Sequence, residues 1–513
     1  MVRATVRWRG LLLLLFCLAQ FLDVFNSSAL FTAIASITVT LRLSVANSVW
    51  LLSAYQLTFA SFLLLSGRIS DVYSPKYVFI GGLAAFGLMS LGSGFVDNKI
   101  AFLVLRALIG IAAALTIPSA LAMIVRMYPN PGTQGRAIAA FGGSVAIGNV
   151  SGLIIGAALV ERASWRWIFW IVASVALPVA ASAALLIPSE LAQGDDLDIS
   201  TKKELDIGGI ILLTCEPHVT ASLILFIFSV TSGSSSTWKS ATTLVPLFIS
   251  LVTFTAFWFW ERRVPFARAA LPLGLWSYPN FGLFFAVALL PMFWWTTVLF
   301  QFTTFWQDSY QWSSLKAAVH LLPIGILAFP VMIIASKGLP IGDKTIILIG
   351  EVLSLAGSIL LAFSNNPALY WSRNFVGFCI GTVGTALVFA RANIIIVQST
   401  PNELAGTVSA IFNAALQLGS ATGVSIISSI QNSVESGASE SDPFRGRAAG
   451  LWALTAFVAA ELIAVSFVWR NGTSNEAGLE SKVRSDLGEE EQLSVVVEEA
   501  LARHGVPLSE IET

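Results

Sequence analysis

Apolar stretches of about twenty residues, parted by short polar interruptions, fill this chain from residue 11 to residue 469. In lipid every backbone N–H and C=O must be paired within the protein, so a run of roughly 20 apolar residues reads as a membrane-crossing helix. Such runs lie near 11–34, 47–66, 77–96, 100–124, 137–160, 167–187 and 207–230. Others lie near 241–260, 280–302, 315–336, 344–364, 368–397, 405–431 and 448–469. The expected class is an all-α integral membrane protein with about fourteen transmembrane helices. Composition agrees: 12% of the 513 residues are charged, against roughly 25% in soluble chains.

Arg3, Arg7 and Arg9 before LLLLLFCLA mimic a signal peptide, but the apolar run continues past residue 19, which predicts a retained first helix. With the N-terminus inside, Lys and Arg of the N-terminal stretch and short loops favour that side by 12 to 8, Arg447 being counted in a loop of the opposite side. An even number of helices then returns the polar tail, with its Glu489–Glu491 run, to the cytoplasm. The net charge of −1 gives no reason to expect nucleic acid. Cys17, Cys215 and Cys379 show no paired spacing, so no disulfide framework or metal site is expected.

The chain also repeats itself. RALIG at Arg106–Gly110 returns as RNFVG at Arg373–Gly377, an offset of 267. Gly148 and Gly152 return as Gly419 and Gly423, an offset of 271, and SGRISDVYSPK is echoed by SKGLPIGDK from Ser336. Six helices with short loops fill about 200 residues, so an offset near 270 leaves room for two more. The expected organisation is an N-terminal six-helix bundle over 1–190, then a loop and two inserted helices over 191–270. A C-terminal six-helix bundle over 271–470 and a cytoplasmic polar tail over 471–513 complete it.

Between the second and third helices stands SGRISDVYSPKYVFIGG, Ser66–Gly82. Gly67, Ile69, Asp71 and Lys76 there resemble the loop signature of the major facilitator superfamily, with Val72, Ser74 and Pro75 departing from its usual Arg, Gly and Arg. Arg106 with Gly110 resembles the family's fourth-helix motif. Gly148, Gly152 and Gly156 resemble its fifth-helix antiporter motif, with Leu153 in place of Pro. With FLDVFNSSAL in the first helix, the chain looks like a fungal member of the 14-spanner drug:proton antiporters. The resemblance implies a major facilitator fold and proton-coupled efflux of amphipathic small molecules, with uptake or exchange of an iron chelate or polyamine as the alternative. A membrane protein that transports nothing is the remote one. It further implies a monomer in the bilayer whose partners are substrate and protons, with no cofactor, in the plasma membrane or else the vacuolar membrane. Asp71 and Lys76 would latch the halves in one state; the plainer reading is a solvated turn. For the glycines, the plainer reading is close helix packing.

Ionisable groups at bilayer depth cost at least ~2.5–3.5 kcal/mol and usually serve a purpose. Asp23 in the first helix and Arg106 in the fourth are the leading candidates for coupling, and Glu461 and Glu351 are further candidates. Asp23 could instead bond Asn26, Ser27 or a backbone carbonyl, and Arg373 could be a relic of duplication. Phe293–Trp295 reads as interfacial belt. There is no G-x-x-x-x-G-K-[ST] loop, no H-E-x-x-H and no G-x-S-x-G, which argues against an ATP-driven pump and against an enzyme.

Overall fold

The computed structural model describes residues 8–72, 74–128, 130–188, 221–233, 238–261, 275–276, 278–336, 341–399, 405–435 and 444–469. Its long elements are helices. The first six are α1 (Arg9–Thr40), α2 (Trp50–Val72), α3 (Pro75–Ser93), α4 (Lys99–Met127), α5 (Pro131–Arg162) and α6 (Arg166–Leu186). Two inserted helices follow, α7 (Ala221–Gly233) and α8 (Ala241–Glu261). The last six are α9 (Leu290–Tyr310), α10 (Ser314–Ser336), α11 (Asp343–Ala362), α12 (Phe375–Gln398), α13 (Ala405–Glu435) and α14 (Arg445–Val468). The short helix Phe281–Val287 leads into α9, and the π-turn Tyr370–Asn374 leads into α12.

Twelve described stretches are long and apolar enough to cross a membrane. The 23-residue α2 and the described part of α7 stand beside them, in keeping with about fourteen helices. Local chemistry sets several boundaries. Pro75 occupies the first turn of α3, where its missing N–H costs nothing. Asn98 caps α4, its side chain accepting from the N–H groups of Ile100 at 2.8 Å and Ala101 at 3.3 Å. At 32 residues α1 is about 48 Å long, well beyond a hydrocarbon core of about 30 Å. It therefore tilts or extends past the bilayer, which counting its apolar run alone did not anticipate. Phe248, Leu251 and Phe254 of α8 are exposed, as lipid-facing side chains are.

The helices form two bundles that repeat each other. In the first, α1 packs on α5, α2 on α4, and α3 on both α4 and α6; in the second, α9 packs on α13, α10 on α12, and α11 on both α12 and α14. Adding eight to each label of the first set gives the second. Between bundles, α2 packs on α13 and α5 on α10, each pair the image of the other, and α1 meets α9. The glycines carry the same symmetry at atomic detail. A Cβ added at Gly148 or Gly152 would stand 2.8 Å from the carbonyl oxygen of Phe21 or Phe25 on α1. At Gly419 and Gly423 it would press on the carbonyls of Leu289 and Phe293, each 268 residues further along than its counterpart.

The RALIG echo has a different outcome. Arg106 is fully buried in α4, whereas Arg373 lies half-buried in the π-turn and donates to the Phe363 carbonyl at 2.5 Å. Gly110 faces α2, but Gly377 faces Leu361 and Gly357 of α11. The π-turn shifts the register ahead of α12, so the two motifs are similar in sequence without being equivalent in space. Nor is Phe293–Trp295 an interfacial belt. Trp294 is fully buried and donates to Ser358 Oγ at 2.9 Å, and Phe293 stacks on Phe457 at 4.2 Å between ring centres.

The inserted pair α7–α8 is tied by hydroxyls: Ser222 and Ser250 each donate to the other's carbonyl, at 3.0 and 2.9 Å. It docks over one of the two inter-bundle seams. Thr231 of α7 meets Ser425 of α13 at 2.9 Å, Ser425 lies 3.5 Å from Ser53 of α2, and Phe228 packs on Trp50.

Candidate functional site

Asp23 sits in α1 with 7% of its surface exposed. Its Oδ1 accepts a hydrogen bond from the Tyr55 hydroxyl of α2 rather than from Asn26, Ser27 or a backbone group. The other face of Tyr55 carries a cation: the Arg106 guanidinium of α4 lies 4.8 Å from the ring centre. Arg106 Nε donates to the Leu51 carbonyl at 3.2 Å, and its Nη1 has no protein partner. A carboxylate, a phenol and a guanidinium from three helices thus form one buried chain. Tyr55 went unnoticed in the sequence because nothing distinguishes it from an ordinary tyrosine of an apolar helix.

Glycine makes this chain possible. Gly110 lies one turn beyond Arg106 on the same face of α4, and a Cβ there would press on the Tyr55 carbonyl and the Thr58 hydroxyl. The absent side chain lets α2 approach α4 closely enough for Thr58 Oγ1 to donate to the Ala107 carbonyl at 2.7 Å. The spacing RALIG therefore couples a charge to the cleft that seats it.

Polar groups without protein partners gather around Asp23. Asn26, one turn on, is fully buried with both amide atoms unpartnered, and Gln20 Oε1, one turn back, and Gln56 Oε1 on α2 are also unpartnered. Buried polar atoms normally find partners, so these amides can hydrogen-bond water or polar parts of a substrate.

Of the loop signature, Gly67 and Asp71 fall within the α2 helix, and the surroundings of Gly67 and the side chain of Asp71 lie outside what the structure describes. Lys76 is described, and its Nζ donates to the Ile187 carbonyl at 2.5 Å, tying the start of α3 to the end of α6 within one bundle. Gly148, Gly152 and Gly156 all face α1; the last meets Ala29. Glu351 of α11 and Glu461 of α14 are buried, at 0% and 6% exposure, and their four carboxyl oxygens have no hydrogen-bond partner among the described residues. They belong to helices of the second bundle and do not join Asp23 and Arg106. Glu216, His218, Cys215, His504 and the tail from residue 470 lie outside the described residues.

A cavity of about 340 Å³ lies between the bundles at the end of α1 that carries Thr40, bordered by α9, α13 and α14. Thr38, Arg42, Asp308, Gln431 and Arg447 line it. Counting loop charges placed Arg447 outside the membrane helices, but it is buried in α14. It donates to Thr304 Oγ1 at 2.7 Å and to the Gln301 carbonyl at 3.0 Å, and pairs with Asp308 at 3.7 Å. Those partners lie on α9, so its position could not be read from α14 alone.

The chain is 28% identical over 433 residues to the puromycin resistance protein pur8 of Streptomyces alboniger, covering 83% of this chain and 82% of that one. It is 26% identical over 415 residues to the major facilitator superfamily multidrug transporter mfsC of Aspergillus fumigatus, covering 78% and 75%. Its fold superposes on a bacterial homologue of the human lysosomal transporter Spinster, crystallised inward-facing and unoccupied. The TM-score is 0.62 at 16% identity, over 90% of this chain and 96% of that one. A model of the Major Facilitator Superfamily matches residues 16–424, and with two repeated six-helix bundles behind that match, the chain belongs to this superfamily.

Proposed function

We propose that this transporter exports amphipathic small molecules (drugs, toxins or secondary metabolites) across the plasma membrane in exchange for protons, by alternating access, with both termini cytoplasmic. The observation that carries the reading is the buried Asp23–Tyr55–Arg106 chain. Ionised, Asp23 holds the Tyr55 hydroxyl and is attracted to Arg106, which binds α1 to α2 and α4. Protonated, it loses most of that attraction and the three helices can repack. One proton thereby biases how the first bundle packs. The glycine ladder makes α1 and α5 move together, and α5 lies on one of the seams between bundles. The resistance and multidrug proteins among the relatives support efflux as the direction.

The test is transport in inverted vesicles under an imposed pH gradient, screened over toxic amphiphiles. Asp23→Asn keeps a hydrogen-bonding group but cannot release a proton, so it should bind and equilibrate substrate without concentrating it. The stake is measurable: one charge crossing 100 mV is worth ~2.3 kcal/mol, a roughly fifty-fold gradient of a neutral substrate. Concentration by Asp23→Asn against a gradient would remove the first helix from the coupling step, and accumulation in the opposite direction would replace export by uptake.

A further inference from the structure

Glu351 and Glu461 lie at one level of two packed helices, and the register of those helices shows it. Helices α11 and α14 run antiparallel, and two contacts bracket the pair. Towards one end, the Phe363 ring packs on Trp452 at 5.4 Å; towards the other, Lys344 Nζ donates to the Ser466 carbonyl at 3.1 Å. Stepping inward from both contacts brings residue 351 opposite residue 461. The two carboxyls also act on each other electrostatically.

Nothing else among the described residues compensates them. From α12, Arg391 is paired with Asp343 at 3.0 Å, and from the π-turn Arg373 is turned to the Phe363 carbonyl. Lys344 of α11 is engaged with Ser466, Arg447 of α14 with Asp308 of α9, and Glu435 of α13 adds no positive charge. The short helix Phe281–Val287 has no titratable side chain. Two carboxylates side by side at this depth would be two uncompensated charges in apolar surroundings. Two protonated carboxyls satisfy each other, each O–H donating to its partner's carbonyl oxygen. When one proton leaves, the remaining O–H donates to the new carboxylate, and such charge-assisted bonds are short and strong. The second proton is then held.

We propose that Glu351 and Glu461 form a proton-binding site of the C-terminal bundle, distinct from Asp23, which exchanges one proton with solution and retains the other. The site is independent of the role assigned to Asp23, and its test needs no transported substrate.

The full-length chain in lipid vesicles is titrated by infrared spectroscopy, following the carbonyl stretch of protonated carboxyls. Wild type should show a band that the Glu351→Gln/Glu461→Gln double variant lacks, and raising the pH should remove about half of that difference. Because protonated carboxyls of the proposed pair would share a hydrogen bond, the spectral changes of the single variants should not sum to that of the double variant. A double variant with the wild-type band would mean that both groups are ionised. Single-variant changes that sum to the double would mean two independent acids, and a difference that no pH reduces would mean no exchange; each overturns the proposal. Should the variants fail to fold, the wild-type chain still decides. A membrane-soluble carbodiimide, which adds only to protonated carboxyls, should modify Glu351 or Glu461, and an unmodified pair would equally sink the idea.

Discussion

Alanine at Gly152 and alanine at Gly142 should have opposite effects on stability, although both lie in α5. A Cβ at Gly152 would stand 2.8 Å from the Phe25 carbonyl oxygen, 2.9 Å from Ser28 Cβ and 3.2 Å from the Ala29 nitrogen. Two of these three atoms are backbone of α1 and cannot rotate aside, so the helices must separate. Overpacking of this kind costs about 1–3 kcal/mol, and an unyielding partner puts the cost near the upper end. Replacing glycine inside a helix returns about 1 kcal/mol, leaving a net destabilisation of about 2 kcal/mol. At Gly142 a Cβ would meet nothing within 4 Å, so there only the gain of about 1 kcal/mol remains. If the α1–α5 contact and the α5 helix are both lost in the transition state for unfolding, Gly152→Ala should unfold roughly 30-fold faster than wild type, and Gly142→Ala about fivefold more slowly. The assay is the rate of loss of monodisperse protein in detergent at one fixed temperature. Equal rates for the two variants would refute the argument, because α1 and α5 would then not be held at this distance.

Tyr55→Phe keeps the ring beside Arg106 but removes the donor to Asp23. An unsatisfied buried acceptor costs about 1–3 kcal/mol, so the variant should fold with lower thermal stability and lose most pH-driven transport in the vesicle assay. Gly110→Ala removes no polar group yet pushes α2 away from α4, so transport should fall as severely as in Arg106→Ala while membrane insertion is unchanged. Asn471-Gly472-Thr473 forms a glycosylation sequon just beyond the last described helix; with the C-terminus cytoplasmic it should remain unmodified in a glycosylating host, as a mobility shift on endoglycosidase treatment would reveal.

The sequence by itself determined how the chain meets the membrane. Apolar run lengths answer to bilayer thickness, so the class, the approximate helix count and the placing of α8, read at 241–260 and found at Ala241–Glu261, followed from local residues. The glycine pairs 148/152 and 419/423 were equally legible, because only a residue without a side chain admits another backbone at that distance. Which helix stands beside which was decided only in the tertiary structure. A helix in lipid is apolar on its protein side and its lipid side alike, so hydrophobic periodicity does not mark the face that packs. Asp23 could therefore be singled out as a buried acid, but its partner Tyr55 could not. Glu351 and Glu461 could be listed as separate candidates, but not as a pair, since they lie 110 residues apart and come to one level only where α11 and α14 pack. For the same reason Arg447 was misplaced in a loop and the RNFVG echo was read as the spatial match of RALIG. Local sequence fixes depth and length, whereas lateral neighbours depend on side chains of helices distant in the chain.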